Sequence, residues 1–153
     1  MELTARKLNK YLMFKLPSAY LCGVRLKELN NAKAMVQVRH KWINQNPFKS
    51  LYFAVQSMAA ELSTGALVIK KIQESGKPIS MLVTGHSGTF SKKAVGKIQF
   101  ICTDGLEIDA VLNEAIATGE GQKIVLKSVG NDESGDIVSA YEFEWSIKLK
   151  SKK

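Results

Sequence analysis

Sulfur and imidazole are scarce in this chain, whose 153 residues hold two cysteines and two histidines. Cys22 and Cys102 share no CxxC spacing and have no paired base, so neither a redox motif nor a thiol nucleophile is supported, and both read as small core residues. Together with His40 and His86 they show no ligand spacing, so no metal site and no cofactor is expected. The stretch from Tyr11 to Cys22 is broken by Lys15 and Pro17, which argues against a secretory leader and leaves a reduced, cytoplasmic compartment as the expectation. Positive charge is in excess, with 22 basic against 14 acidic residues and a pI near 9.5. The aromatics are not interleaved with Arg or Lys and no recognition signature appears, so nucleic acid is not an expected partner. An acidic partner or polyanionic ligand suits the charge, although Lys148, Lys150, Lys152 and Lys153 crowd a tail of the kind that is ordinarily just solvated.

Long apolar runs are missing too, with one exception. Ser50 to Ile69, SLYFAVQSMAAELSTGALVI, carries one charge, Glu61. As a membrane span it would hold that carboxylate at mid-bilayer at a cost of about 2.5 kcal/mol or more, with no second span to shelter it. The other segments read as amphipathic strands that need an apolar object to cover, so the run is expected to be a buried core helix. A chain of this length is one domain, residues 1–153, able to bury a core without staples.

In chain order, Leu3, Ala5, Leu8 and Leu12 beside Arg6, Lys7 and Lys10 predict a short amphipathic helix over 2–16, ended by Pro17. Alternation then predicts a hairpin, VRLKEL and KAMVQVRHKW turning at Asn30-Asn31, with Ala34, Val36, Val38, His40 and Trp42 on the inner face. Asn46 as N-cap and Pro47 at the first helical position predict a central helix over about 47–73, closed by Lys70, Lys71, Gly76 and Pro78. Strands ISMLVTGHSGTF and AVGKIQFIC follow, the first punctuated by Gly85 and Gly88 as at a bulge. Leu106 to Thr118 predicts a short helix, and QKIVLKSV and DIVSAYEFEWSIKLK a second hairpin around NDESG. In the last strand Ile137, Tyr141, Phe143, Trp145, Ile147 and Leu149 point inward. The sum is an α+β fold, an antiparallel sheet curled round one long helix.

That order is similar to the hotdog fold. Within it, KLPSAYLCGVRLKELNNAKAMVQVRHKWINQNP followed by SLYFAVQSMAAELSTG resembles the thioesterase-like group known as DUF4442, over nearly the whole chain. The resemblance implies acyl-thioester chemistry on acyl-CoA or acyl-carrier substrates, in a homodimer or a tetramer of dimers. It puts Glu61 where hotdog thioesterases carry the Asp, Glu or Asn that serves as general base or nucleophile. A half-buried carboxylate has a raised pKa and can take a proton from water near neutral pH, which agrees. Many such enzymes have glycine about two turns before the helix acid, whereas this chain has Tyr52, Phe53 and Ala54. The Phe53 N–H, eight residues before Glu61, is the expected oxyanion donor. Dehydratases of the fold need a histidine in the loop before the helix; Asn46 stands close to that place, which disfavours dehydration.

Each candidate has a plainer reading. Glu61 competes with a structural ion pair, Asn46 as a positioner of water or carbonyl with a helix cap, and Ser57 and Thr64 as water ligands with hydroxyls bonded back to their own helix. Lys92 and Lys93, between two strands, would meet CoA phosphates or simply occupy a solvated turn. Two functions are carried forward: hydrolysis of an acyl thioester by water activated at Glu61, and binding of acyl thioesters or another hydrophobic ligand without catalysis.

Overall fold

The computed structural model describes residues 2–151; Lys152 and Lys153 of the basic tail lie outside the described residues. Thr4 accepts the Lys7 N–H on its side-chain oxygen at 3.3 Å, and this cap starts helix α1, Ala5–Lys15. Leu8 and Leu12 are its buried face. Pro17 ends α1 but also opens a second helix, α2, Pro17–Leu21, because proline fits a first helical turn, so the expected 2–16 helix is followed by another. Strands β1, Arg25–Leu29, and β2, Ala34–Arg39, form the expected hairpin. Its turn is held by Asn30, whose Oδ1 accepts the N–H groups of Ala32 and Lys33. The strand stops at Arg39. Trp42 falls in a 3-10 turn, Trp42–Asn44, and is 83% exposed rather than inward.

The central helix, α3, is Phe53–Ser75, so it starts six residues later than expected and ends two residues later, at Gly76 with φ 64°. Asn46 does not cap it. Its Oδ1 accepts the Phe48 and Ser50 N–H groups, and Lys49 at φ 58° turns the chain back so that the Asn46 N–H meets the Ser50 carbonyl. Asn46-Pro47 is therefore a side-chain-closed turn, which competes with helix for the same signal. Lys70 and Lys71 lie inside the helix. Both are buried and paired, Lys70 with Glu74 at 2.6 Å and Lys71 with Asp109 at 2.8 Å.

Beyond α3 come β3, Ile79–Phe90; β4, Lys97–Cys102; α4, Glu107–Thr118; β5, Gln122–Asn131; and β6, Ile137–Leu149. The six strands make one antiparallel sheet in the order β1-β2-β4-β5-β6-β3, which wraps the helix as a hotdog fold. The middle of α3 is buried nearly all round, and its small residues Ala59, Ala60, Ser63 and Ala66 let it approach the sheet closely. Ser63 is satisfied there by the Ala60 carbonyl and by Ser128 on β5, both at 2.7 Å. On β6, Tyr141, Phe143, Trp145 and Ile147 point into the core as expected, whereas Ile137 at the start of the strand is half exposed. Among the described residues no helix is long and apolar enough to cross a membrane.

The sheet has one tight spot where space dictates the residue. Gly130 on β5 faces Phe100 on β4, and a Cβ there would meet the ring at 2.6 Å. Phe100 is fully buried and has nowhere to turn. Gly130→Ala is expected to lower folding stability by about 1–3 kcal/mol through overpacking, read from the midpoint shift in urea unfolding.

Candidate active site

Glu61 lies on a partly uncovered stretch of α3 with Ser57 and Met58. Its side chain lines a concavity of about 460 Å³ whose other walls include Ser57 and Met58 from the same helix face, Ala19 from α2, and Val83, His86 and Phe143 from the sheet. The lining is mainly apolar. Among the described residues the Glu61 carboxylate makes no hydrogen bond and no ion pair, so the structural pairing with an arginine or lysine does not occur. Burial without a partner raises its pKa from 4.5 to about 7. A carboxylate tuned this way is part ionised at neutral pH and can receive a proton.

Gly65, one turn on from Glu61, makes room for its side chain. A Cβ on Gly65 would stand 3.3 Å from Glu61 Oε1 and 3.1 Å from the Trp145 ring, so glycine leaves room for both. Trp145 Nε1 donates to Thr64 Oγ1 at 3.0 Å, and Thr64 Oγ1 donates to the Glu61 carbonyl at 2.9 Å. Thr64 thus faces the core and does not line the cavity, against the expectation that it holds substrate or water. Ser57 does line it, one turn before Glu61. Its Oγ donates to the Phe53 carbonyl at 3.0 Å and lies 3.3 Å from the Tyr141 hydroxyl, which ties the first turn of the helix to β6.

That first turn carries free donors. Tyr52 caps α3 without a side-chain hydrogen bond; the Val55 and Gln56 N–H groups reach the Tyr52 carbonyl, while those of Phe53 and Ala54 have no acceptor among the described residues. Two orphan N–H groups at the positive end of a helix dipole suit a developing oxyanion. The Phe53 side chain borders the Glu61 cavity and also a second one of about 390 Å³, which is lined by Asn46, Gln56, Lys92 and Lys93 among others. Asn46 and the two lysines are therefore together, but around the neighbouring cavity.

Lys92 is not a free cation. Asp132 and Asp136 accept its ammonium at 2.6 and 2.7 Å, which pushes its pKa up to about 12. Lys93 reaches the Phe48 carbonyl at 3.4 Å and has no ion pair among the described residues. Among the described residues no three His, Cys, Asp or Glu side chains gather as metal ligands would.

His86 is the wall residue that sequence reasoning set aside. Ile79, Met81 and Val83 share one face of β3, and strict alternation would put His86 on the other. A bulge between Val83 and Gly85 shifts the register by one, so that His86 pairs with Phe143 and stacks edge-on against it at 5.7 Å between centroids. Gly85 was the visible signal, since a bulge at that point reverses the parity of everything after it.

The family profile described as "Domain of unknown function (DUF4442)" matches residues 4–147. Among solved structures, the protein of unknown function PA5026 from Pseudomonas aeruginosa, named a "Probable Thioesterase", superposes with a TM-score of 0.83 at 21% identity, over 98% of this chain and 99% of that one. Protein OLEI01261 of unknown function from Chlorobaculum tepidum gives 0.83 at 16% identity, over 97% and 99%. The thioesterase HI1161 from Haemophilus influenzae gives 0.73 at 13% identity, over 97% and 93%. At these identities the likeness establishes the shared fold. No curated protein matches the chain in sequence.

The raised pKa of Glu61 has a sign that can be measured. Between pH 4.5 and about 7 the native chain holds a proton that the unfolded chain has lost, so stability falls as pH rises through that window. Glu61→Gln removes the effect and is expected to be more stable than wild type by about 2–3 kcal/mol at pH 8, with the gap closing at pH 5, in denaturant unfolding at the two pH values.

Proposed function

Since the chain belongs to the DUF4442 family, we propose that it hydrolyses acyl thioesters, with acyl-CoA or an acyl-carrier conjugate as substrate. One observation carries the reading: an unpaired carboxylate with a pKa near 7 in an apolar cavity, on the same helix as two unsatisfied N–H donors. The acyl chain lies against Met58, Val83 and Phe143. Glu61 takes a proton from water as the water attacks the thioester carbon, and the carbonyl oxygen, gaining charge, is held by the Phe53 and Ala54 N–H groups. The tetrahedral intermediate then expels the thiolate. Ser57 orients the attacking water or the carbonyl from one turn away, and Asn46 and Lys93 belong to the approach on the far side of Phe53.

A second copy of the chain completes the site in this reading. The outer edge of β3 has no strand partner along its twelve residues, and exposed Leu82 and Phe90 lie on it. An unpaired edge of that length is a natural place for a copy of the same strand. A homodimer, or a tetramer of dimers, is expected, and sedimentation equilibrium should read at least twice the 16.9 kDa chain mass.

A non-catalytic acyl-thioester binder is the second reading, favoured by the side chains of Tyr52 and Phe53 at the helix start, both exposed and packed edge-on at 4.9 Å. They narrow the approach to the same N–H groups. The two readings separate on a panel of acyl-CoA chain lengths. The hydrolase turns over repeatedly, its kcat rises with pH through about 7 as Glu61 ionises, and Glu61→Gln loses about 100-fold or more. Tight binding without turnover at any chain length establishes the binder, and a fully active Glu61→Gln removes the residue from its role.

A further inference from the structure

A third concavity, about 570 Å³, lies between α1, α2 and β1. Arg6, Lys10, Arg25 and Lys27 line it, with Tyr20 and Asn9 between them, and no carboxylate is among its lining residues. Among the described residues none of the four cations forms an ion pair. The nearby acids are engaged elsewhere, Glu28 with Lys33 at 2.9 Å and Glu2 beside Lys70 at 3.9 Å. Four like charges around one depression repel one another, and an anion relieves that cost.

The floor of the basin is rigid. Arg25 Nη1 donates to the Tyr20 and Val24 carbonyls at 2.7 and 2.8 Å, and its guanidinium lies 3.6 Å over the Tyr20 ring. Held on one edge and one face, it keeps Nη2 and Nε for a ligand, with little rotamer entropy left to lose. Asn9 fastens α1 to β1 by bonding both the N–H and the carbonyl of Leu26, which fixes Arg6 and Lys10 above the same depression. Arg6, Lys10 and Lys27 are exposed and free to close over a bound group.

Its location links it to the Glu61 cavity. Leu16, Ser18 and Ala19 wall the Glu61 cavity, and Met13 and Tyr20 wall the basin, so both border the segment of α1 and α2 between them. A helix with side chains is about 10–12 Å across, a span that an extended pantetheine arm covers. Lys92, the other candidate for phosphate, is already paired with two aspartates. The geometry points to the basin of Arg6, Lys10, Arg25 and Lys27 as the site for the nucleotide phosphates of an acyl-CoA, a proposal that rests on the acyl-thioester reading of the Glu61 cavity.

The test uses the full chain and three probes: 3′-phosphoadenosine diphosphate for binding by calorimetry, and an acyl-CoA and the matching acyl-pantetheine for kinetics. The variant Arg6→Glu/Lys10→Glu changes two exposed side chains; Arg25→Ala is a second, independent lesion; and Lys148→Glu/Lys150→Glu, on exposed residues of the last strand and just after it, matches the charge change elsewhere. The basin variants should weaken nucleotide binding by about tenfold or more, and raise KM for acyl-CoA by a similar factor with kcat within about twofold. KM for acyl-pantetheine, which lacks the nucleotide, should not move. Nucleotide binding unchanged in both basin variants, or weakened equally by the Lys148/Lys150 control, overturns the site. Should no thioester be hydrolysed while the basin variants still abolish nucleotide binding, the basin stands and the hydrolase reading falls. Hydrolysis with an unaltered KM for acyl-CoA in the basin variants removes the basin and leaves the hydrolase reading in place.

Discussion

The lack of any partner for the Glu61 carboxylate among the described residues is the constraint from which the rest of the site follows. A helix buried nearly all round must be apolar or internally satisfied, and α3 obeys this at every other buried polar position. Ser63 bonds Ser128, Thr64 bonds Trp145 and its own helix, Gln56 accepts from Ser139 at 2.8 Å, and Lys70 and Lys71 are paired. Against that background an unpaired acid is costly, and the fold keeps it by leaving a cavity at its side. The absence of a side chain at Gly65 leaves room for the carboxylate beside the Trp145 ring.

Charge is arranged in two ways. Where the fold needs cations for structure it pairs them: Lys71 ties α3 to α4 through Asp109, and Lys92 bridges the β3 to β4 connection to the β5-β6 turn through Asp132 and Asp136. Among the described residues Arg6, Lys10, Arg25 and Lys27, which line the basin at α1 and β1, form no ion pair. Net charge alone does not distinguish these cases. The proposed division of labour, acyl group beside Glu61 and phosphates beside Arg25, follows from which basic groups are already paired.

Much of the fold was legible because its elements have strong, uninterrupted periods. The last strand alternates from Tyr141 to Leu149, and the central run carries a single charge, so both could be placed by pattern. The start of α3 was not legible. Asn46-Pro47 is an equally good opening for a helix or for a turn, and the choice fell to Lys49 at positive φ and to Asn46 bonding forward to Ser50. Trp42 was misplaced for a related reason: alternation continued in the sequence after the strand had ended at Arg39.

Composition and helical spacing, which act over a few residues, were enough to put one carboxylate in a buried helix, to cover that helix with six amphipathic strands, and to set Ser57 on the same face. They could not tell that Glu61 has no counter-ion among the described residues, that Thr64 belongs to Trp145 and not to the cavity, that Lys92 is paired with two aspartates, or that a bulge swings His86 into the wall. Each of these depends on contacts between residues far apart in the chain, and on a register in which one inserted residue reverses every side chain that follows.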